Sequence, residues 1–206
     1  MLYYLPMGNG TENDGGENAM AKAAGKLADL IRRDDPIVKY DETAGVNTLR
    51  QKSKPVLTFN EDVAELVAHM EKIMRAANGV GLAAPQLGIL QRIFVYDAGD
   101  GFQAIVNPKI LGRKGEQVGV EGCLSIPGLQ GDVSRAEEVV VKGMDQFGKP
   151  VRIRGDGLTA RVIQHENDHL DGILFIDHAD PASLHWVTAE EMEDEEEDGL
   201  GPQTRE

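Results

Sequence analysis

The sequence predicts an α+β fold in which short antiparallel strands pack around a central metal-binding helix. Four short β-rich runs are separated by Gly, Asp and Pro residues, and a turn signal at residues 145–148 joins the last two as a hairpin. An H-E-x-x-H motif lies in a segment of helical pattern near the end of the domain. Several short antiparallel strands around one buried helix are typical of the α+β class.

The length of 206 residues suits one well-packed core with tails, and we divide the chain into three parts. Residues 1–34 form an N-terminal extension, which we expect to be partly disordered because it offers little to bury. Residues 35–180 are expected to form the main folded domain. Residues 181–206 form an acidic tail with nine acidic residues between 190 and 206, and their mutual repulsion predicts disorder in isolation.

Composition narrows the function and the compartment. The net charge of −14 argues against nucleic-acid binding by simple electrostatics. A single cysteine excludes an intramolecular disulfide, and no apolar run approaches the roughly 18 residues that a membrane span needs. The first residues lack the basic and apolar regions of a signal peptide. We therefore expect a cytoplasmic protein without a membrane partner.

Local patterns predict the elements in chain order. Residues 19–33 have helical composition, and residues 37–40 form a short predicted strand. Asn60 is the predicted N-cap of a helix that Asn78 and Gly79 end. Its apolar positions recur at helical spacing and are Val63, Leu66, Val67, Met70, Ile73 and Met74. The β-rich runs are residues 92–97, 103–106, 137–142 and 151–154.

A helix over residues 158–170 carries the H-E-x-x-H motif. His165 and His169 lie one turn apart on one face of such a helix, where two imidazoles can bind one metal ion. Glu166 lies at the edge of that face, within reach of a metal-bound water but not placed as a ligand, as a general base must be. For this motif alone, a surface helix with solvated His and Glu side chains is the alternative.

A catalytic zinc-type site takes three protein ligands and leaves one position open for water. No Glu or His follows at the spacing of the common H-E-x-x-H proteases, so the only cysteine, Cys123, is the candidate third ligand. A thiolate with two imidazoles suits Fe²⁺, Zn²⁺, Co²⁺ or Ni²⁺. A lone cysteine is also often no more than a small buried apolar residue.

Residues 79–86, Gly-Val-Gly-Leu-Ala-Ala-Pro-Gln, partly match the dinucleotide fingerprint. That fingerprint requires a strand before it and a helix after it. Here a helix precedes it, and Pro85 and Gly88 disfavour a helix after it. The glycines instead indicate a backbone that runs close to a substrate or to another strand.

Three separated segments resemble, in order and approximate spacing, the three motifs of the peptide deformylases. They are residues 79–86, residues 121–125 (Glu-Gly-Cys-Leu-Ser) and residues 164–170 (Gln-His-Glu-Asn-Asp-His-Leu). The resemblance extends from about residue 36 to residue 176. It implies removal of the formyl group from the N-terminal formyl-methionine of nascent peptides, so N-formylmethionyl peptides are the expected substrates.

The resemblance also implies a metal site and its chemistry. Cys123, His165 and His169 match the metal ligands of the family, and Glu166 matches its catalytic acid/base. The metal in the family is usually Fe²⁺, and zinc gives poorer activity in many members. We therefore expect Fe²⁺, with Zn²⁺, Ni²⁺ or Co²⁺ as ions that the purified protein could also carry.

Three further roles follow from the same resemblance. The side-chain amide of Gln86 and the backbone N–H of Leu124 are implied to face the carbonyl oxygen of the substrate, and Gly81 is implied to lie against the substrate backbone. A neutral Gln suits this position, because a Glu would repel the negative charge that develops on the oxygen.

A methionine side chain requires a narrow apolar pocket. Val80, Leu158 and Val162 are candidates for its lining, although each residue type is more often plain core. Glu121 is also assigned to this pocket, where it would orient the backbone. Arg135 is a candidate for holding the loop, although a surface salt bridge is the role that we expect for it.

Two features depart from the family pattern. Many bacterial members end in a basic helix that resembles a ribosome-docking element, whereas this chain ends in Glu-rich sequence that rRNA phosphate would repel. Ribosome association therefore stays open but is not expected through the C-terminus. The N-terminal extension and the loose segment 41–54 also exceed the usual compact start. We expect a monomer.

Two other functions stay open from the residues alone. One is an H-E-x-x-H metallopeptidase that cleaves internal amide bonds. The other is a non-catalytic, metal-stabilised interaction module whose functional part is the acidic tail.

Overall fold

The computed structural model describes residues 36–41 and 47–187. The helix predicted at residues 19–33, the N-terminal extension and the acidic residues after 187 lie outside this described part. Within it, two α-helices pack with strands that pair antiparallel in two sheets. The α+β class that the sequence predicts is confirmed.

The helices are α1 (Glu61–Ala76) and α2 (Gly157–Asp171). Short 3-10 turns cover Thr48–Arg50, Ala84–Leu87 and Phe175–Asp177. One sheet has five strands, in the spatial order β1 (Gly81–Ala83), β2 (Ile93–Tyr96), β3 (Gln103–Lys114), β6 (Glu138–Met144) and β7 (Pro150–Asp156). The other sheet has three, in the order β4 (Gln117–Cys123), β5 (Ile126–Arg135) and β8 (His185–Trp186).

Strand β2 lies between the two helices and packs against both of them. Successive side chains of a strand point to opposite faces, and all four residues of β2 are buried. Ile93 and Val95 belong to the core cluster that contains the apolar face of α1. Phe94 and Tyr96 belong to the cluster that contains residues of α2. The two helices therefore cover opposite faces of this sheet.

Helix α1 agrees with its prediction. Val63, Leu66, Val67, Met70, Ile73 and Met74 are all buried, so the predicted apolar stripe is the core face. Asn60 occupies the N-cap position, but its side chain makes no capping bond and instead donates its amide to Asp62 Oδ2 at 3.1 Å. Glu61 and Asp62 lie in the first turn, where negative charge interacts favourably with the helix dipole.

Helix α2 lies against the five-stranded sheet and contacts β1, β2, β6 and β7. Gly155 permits this close packing, because a Cβ there would lie 2.7 Å from Thr159 Cγ2 and 3.3 Å from the backbone N of Ala160. The buried face of α2 includes Ile163 and Leu170. The sheet thus fixes the helix that carries the H-E-x-x-H motif.

The prediction of a strand at residues 37–40 is wrong. Val38 N–H donates to the Gln86 carbonyl at 2.7 Å, whereas Tyr40 N–H donates to the Ser125 carbonyl at 2.8 Å. The two donors reach different elements, so this extended segment bridges the 3-10 turn after β1 to the β4–β5 connection and pairs with no single strand.

The sequence also does not predict β4 and β5 as strands. The two strands contain four glycines, at 119, 122, 128 and 131, and glycine is depleted in strands. The two strands pair antiparallel with each other from Gln117–Arg135 to Glu121–Gly131. This pairing stabilises the extended conformation, which the local sequence does not favour. Strand β3 likewise extends eight residues beyond the predicted run 103–106, because β6 pairs with it as far as Lys114.

Part of the segment assigned to the acidic tail is ordered. In residues 181–187, β8 pairs with β5 through Leu129–Trp186 and Gln130–His185. Leu184 packs against the apolar cluster of this sheet. Leu184 is partly buried there, so the packed part of the chain extends past residue 180. In the described part of the chain, no helix is both long and apolar enough to cross a membrane.

Replacing Gly172 with Ala should destabilise the fold more than the same change at Gly88. Both glycines end a helical segment with nearly equal positive φ, +76° at Gly172 and +77° at Gly88, so each variant loses about 1 kcal/mol to backbone strain. Only at Gly172 would the new Cβ meet backbone, 2.6 Å from the Arg50 carbonyl oxygen. That clash adds roughly 2 kcal/mol.

Urea unfolding of the two variants measures this difference. Equal losses of unfolding free energy would contradict the expected clash between the Cβ added at position 172 and the backbone of Arg50.

Candidate metal centre

Two elements bring the three predicted ligands together. Cys123 is the last residue of β4, next to a register shift after Gly122, and His165 and His169 lie one turn apart on α2. The Cys123 sulfur and one ring nitrogen of each histidine all lie within 4.8 Å of one another. Cys123 Sγ lies 3.3 Å from His169 Nε2.

These separations fit one bound cation. Metal–sulfur bonds of about 2.3 Å and metal–nitrogen bonds of about 2.0–2.1 Å in a tetrahedral site require ligand atoms roughly 3.3–3.7 Å apart. The measured 3.3 Å between Cys123 Sγ and His169 Nε2 agrees with that requirement. The Cys/His/His cluster can therefore bind a metal ion.

The neighbouring histidines favour the deprotonated thiolate form of Cys123. Burial alone would raise the pKa of the Cys123 thiol, but the neighbouring His169 and His165 lower it well below its ordinary value. Ser125 N–H also donates to the Cys123 sulfur at 3.4 Å. The thiolate is the form of cysteine that coordinates metals.

Glu121 lies behind His165 and not on an open pocket, where its predicted role would place it. Its Oε2 lies 2.9 Å from His165 Nδ1, which fixes the ring and leaves Nε2 available to bind a metal ion. Burial would raise the pKa of Glu121, but hydrogen bonds and charge from Arg135 and His165 hold it far below the usual value. The carboxylate therefore stays ionised although it is buried.

Two arginines neutralise this buried carboxylate. Arg135 donates from Nε and Nη2 to the two oxygens of Glu121, each at 2.9 Å, and Arg161 Nη1 donates to Oε1 at 2.8 Å. Arg135 is only 7% exposed, so the surface salt bridge expected for it is wrong. Asp168, between the two metal-site histidines of α2 in sequence, accepts a further bond from Arg135.

Glu166 is buried beside the ligands and has an unusual environment. Burial raises its pKa to about 7, and repulsion from Cys123 and Glu121 acts in the same direction against the attraction of the two histidines. Its Oε2 has no hydrogen-bond partner among the described residues. On the other side, a Cβ at Gly81 would come within 2.8 Å of Glu166 Cδ. Gly81 thus makes room for this carboxylate.

The side-chain amide of Gln86 is held in one orientation. Its Oε1 accepts the N–H of Ala83 at 2.8 Å. Its Nε2 donates to Ser125 Oγ at 3.3 Å and points at Cys123 Sγ at 3.6 Å. The amide N–H group therefore faces the candidate ligands.

The structure places Leu124 beside them, between Cys123 and Ser125. The Leu124 carbonyl accepts a bond from Lys39 Nζ at 3.3 Å, and its side chain packs against the α1 cluster.

The three apolar residues predicted for the pocket differ in exposure. Val80 is 37% exposed next to Gly81, and Leu158 is 41% exposed in the first turn of α2. Val162 is buried in the cluster between α2 and the sheet. A cavity of 490 Å³ behind the helix is lined by other residues, among them Arg135, Asp168 and His178, and by none of these three.

Sequence reasoning misses three residues that hold the site in place: Ser125, Arg161 and Asp168. A usable signal existed for Arg161, which lies four residues before His165 and hence on the same helix face. Its role depends on the carboxylate it meets, Glu121, which comes from a distant strand.

The family of this chain follows from its similarity to known proteins. The model of the polypeptide deformylase family matches residues 35–184, which is most of the chain. The chain belongs to this family. A peptide deformylase of Thermoanaerobacter pseudethanolicus is 44% identical over 156 residues, which cover 76% of this chain and 96% of the relative. A peptide deformylase of Syntrophomonas wolfei is 50% identical over 131 residues, covering 64% of this chain and 86% of the relative.

Solved deformylase structures share the fold. The crystal structure of the peptide deformylase from Thermotoga maritima superposes with a TM-score of 0.67 at 41% identity, covering 70% of this chain and 97% of that one. Deformylases are metal-dependent enzymes that remove the N-formyl group from newly made peptides, and this chain is an enzyme of that kind.

Replacing Gly81 with Ala should lower kcat while leaving the fold intact. The added methyl must displace the end of the Glu166 side chain, and a displacement of about 1 Å can cost roughly 100-fold in rate. Gly112→Ala is the matched control, because a Cβ there meets nothing within 4 Å. Formate release and thermal unfolding measure the two effects. A Gly81→Ala enzyme with the kcat of the control would refute the contact between Gly81 and Glu166.

Proposed function

We propose that Cys123, His165 and His169 hold the metal of this deformylase, that Fe²⁺ is the preferred ion, and that Glu166 moves the proton. The observation that carries this proposal is the convergence of one thiol and two imidazoles from β4 and α2, with ligand atoms within 4.8 Å of one another. One thiolate with two imidazoles suits Fe²⁺ and also accepts Zn²⁺, Ni²⁺ or Co²⁺.

The metal, when bound, supplies Lewis acidity that lowers the pKa of water from 15.7 to about 7. Glu166 is suited to take the proton from that water, because burial raises its own pKa to about 7. A base with a pKa near the operating pH combines the correct protonation state with sufficient driving force. The same carboxyl group, once protonated, returns the proton to the departing amine, which leaves formate and a free N-terminus.

Gln86 and the backbone N–H of Leu124 are proposed to bind the formyl oxygen as negative charge develops on it. The orientation of the Gln86 amide supports this role, because Oε1 is held by Ala83 and Nε2 faces the ligand sulfur. Losing one such donor typically costs about 2.7–4 kcal/mol of barrier.

Gly81 is proposed to lie against the substrate backbone. Within the described part of the chain, strand β1 is the end strand of the five-stranded sheet, and an extended peptide can bind to an end strand as an added strand. The formyl-methionine residue would then lie next to Glu166, and Val80, Leu158 and Val162 stay the proposed neighbours of its side chain. We also propose that the enzyme is monomeric and acts in the cytoplasm.

Glu166→Gln should keep the metal and lose activity. The change removes the proton-transfer group without changing a ligand, so kcat should fall by about 10²–10⁴-fold. Formate release from formyl-Met-Ala and elemental analysis measure both quantities. Glu65→Gln on the exposed side of α1 is the control and should retain full activity.

An unchanged kcat would contradict the role of Glu166. Cleavage of an internal amide substrate with no release of formate from formyl-Met-Ala would instead favour the metallopeptidase.

Cys123→Ala should abolish metal binding but not folding. Anaerobically purified protein should hold about one metal ion per chain, since the three ligands form one site. The variant keeps two imidazoles, which bind a divalent ion far more weakly. Elemental analysis with circular dichroism separates loss of metal from loss of fold. Full metal content in a folded Cys123→Ala protein would remove Cys123 from the ligand set.

A further inference from the structure

A row of positive side chains crosses strands β3, β6 and β7 on the face of the five-stranded sheet that is turned away from α2. Lys109 of β3 pairs with Lys142 of β6, and Lys142 pairs with Arg152 of β7. Directly paired residues point to the same face, and Arg154 joins them two residues further along β7. All four side chains are exposed, whereas the alternating Val141 is buried towards α2. We call Lys109, Lys142, Arg152 and Arg154 the basic row.

The row costs stability as it stands. Like charges placed directly opposite each other in a sheet are destabilising. Within the described part of the chain, no member of the basic row has an acidic partner within 4 Å, although acidic residues outnumber basic ones 35 to 21 overall. The adjacent Glu138 accepts a hydrogen bond from Lys114 at 2.8 Å and is also attracted electrostatically by Arg154, and Asp156 lies opposite Glu138 at the strand end.

The shape of this face suits an extended anionic chain. Val140, Arg152 and Arg154 line a shallow cavity of 410 Å³. Strands lie about 4.8 Å apart, so the three paired members of the row extend over roughly 10 Å across the sheet. Several successive negative charges could meet them at once.

We propose that the acidic segment 193–198, Glu-Asp-Glu-Glu-Glu-Asp, binds the basic row of its own chain. Six consecutive acidic residues complement the positive charge of the four side chains in the basic row. An extended chain covers about 3.3 Å per residue, so residues 188–198 can reach roughly 35 Å from Val187, comparable with the diameter of a domain of this size.

Tethering decides which anion occupies the row. A linked segment acts at an effective concentration of about a millimolar, which a free polyanion in solution must exceed. The net charge of −14 repels nucleic acid in addition. The segment therefore neutralises the row and withholds it from RNA. This interaction is independent of the proposed metal chemistry.

Zero-length carbodiimide cross-linking of the full chain, followed by peptide mass spectrometry, tests the contact. The expected product links Lys142 to an acidic residue within 193–198 inside a monomer, and 0.5 M salt abolishes it. Lys72 is the control, because it is an exposed lysine on α1, outside the row. Links at Lys142 no more frequent than at Lys72, or links only between chains, would overturn the proposal.

Binding of a labelled oligouridylate, measured by fluorescence anisotropy, tests the competition. Replacing the six acids with Gln and Asn should tighten binding by about tenfold, since the tethered competitor is lost. Adding Lys142→Gln and Arg152→Gln should abolish that gain, whereas Lys72→Gln should not. If the full chain binds the oligonucleotide as tightly as the neutralised variant, and through the same row, the row serves nucleic acid and the proposal is wrong.

Discussion

The metal centre depends on one buried carboxylate. The carboxylate of Glu121 on β4 accepts hydrogen bonds from Arg135 on β5 and from Arg161 on α2. It is also hydrogen-bonded to His165 on α2. These bonds hold the β4–β5 hairpin against the helix, and the same hairpin carries Cys123 to the two histidines. Removing one partner of a buried ion pair typically costs about 3–5 kcal/mol, whereas the complete cluster adds little net stability. Its contribution is to fix the relative position of two elements.

Two buried glutamates near the same histidine are driven in opposite directions. Glu121 has arginines on both oxygens, and its pKa falls far below the usual value. Glu166 has no arginine, one oxygen without a hydrogen-bond partner in the described part of the chain, and a pKa raised to about 7. Carboxyl groups whose environments separate their pKa values take different roles. Glu121 suits a permanent charge behind a ligand, and Glu166 suits proton transfer.

Sequence predicts the parts of this molecule that local pattern determines. Helix α1 follows from the spacing of its apolar residues, and α2 follows from a pattern that includes the H-E-x-x-H motif. Strands β4 and β5 do not follow, because their glycine content opposes strand formation and only their mutual pairing supplies the order. Arg135 is mispredicted for a related reason: an arginine looks like a surface residue until the buried carboxylate that it meets is known. The order and spacing of the three motifs predict that Cys123 approaches the two histidines. The distances between the sulfur and the ring nitrogens depend on the pairing of β4 with β5 and on its packing against α2, which no local pattern determines.

The orientation of Gln86 is determined by the neighbours of both ends of its amide. Reversing the amide would place its NH₂ group against the N–H of Ala83, where two donors would face each other. It would also turn an acceptor oxygen towards the sulfur of Cys123, whose thiolate charge would repel it. Both errors occur together, so the backbone of β1 and the ligand sulfur select the same orientation. The donor that we propose for the substrate oxygen is thus fixed in the structure without substrate, which is the condition for an electrostatic contribution without reorganisation.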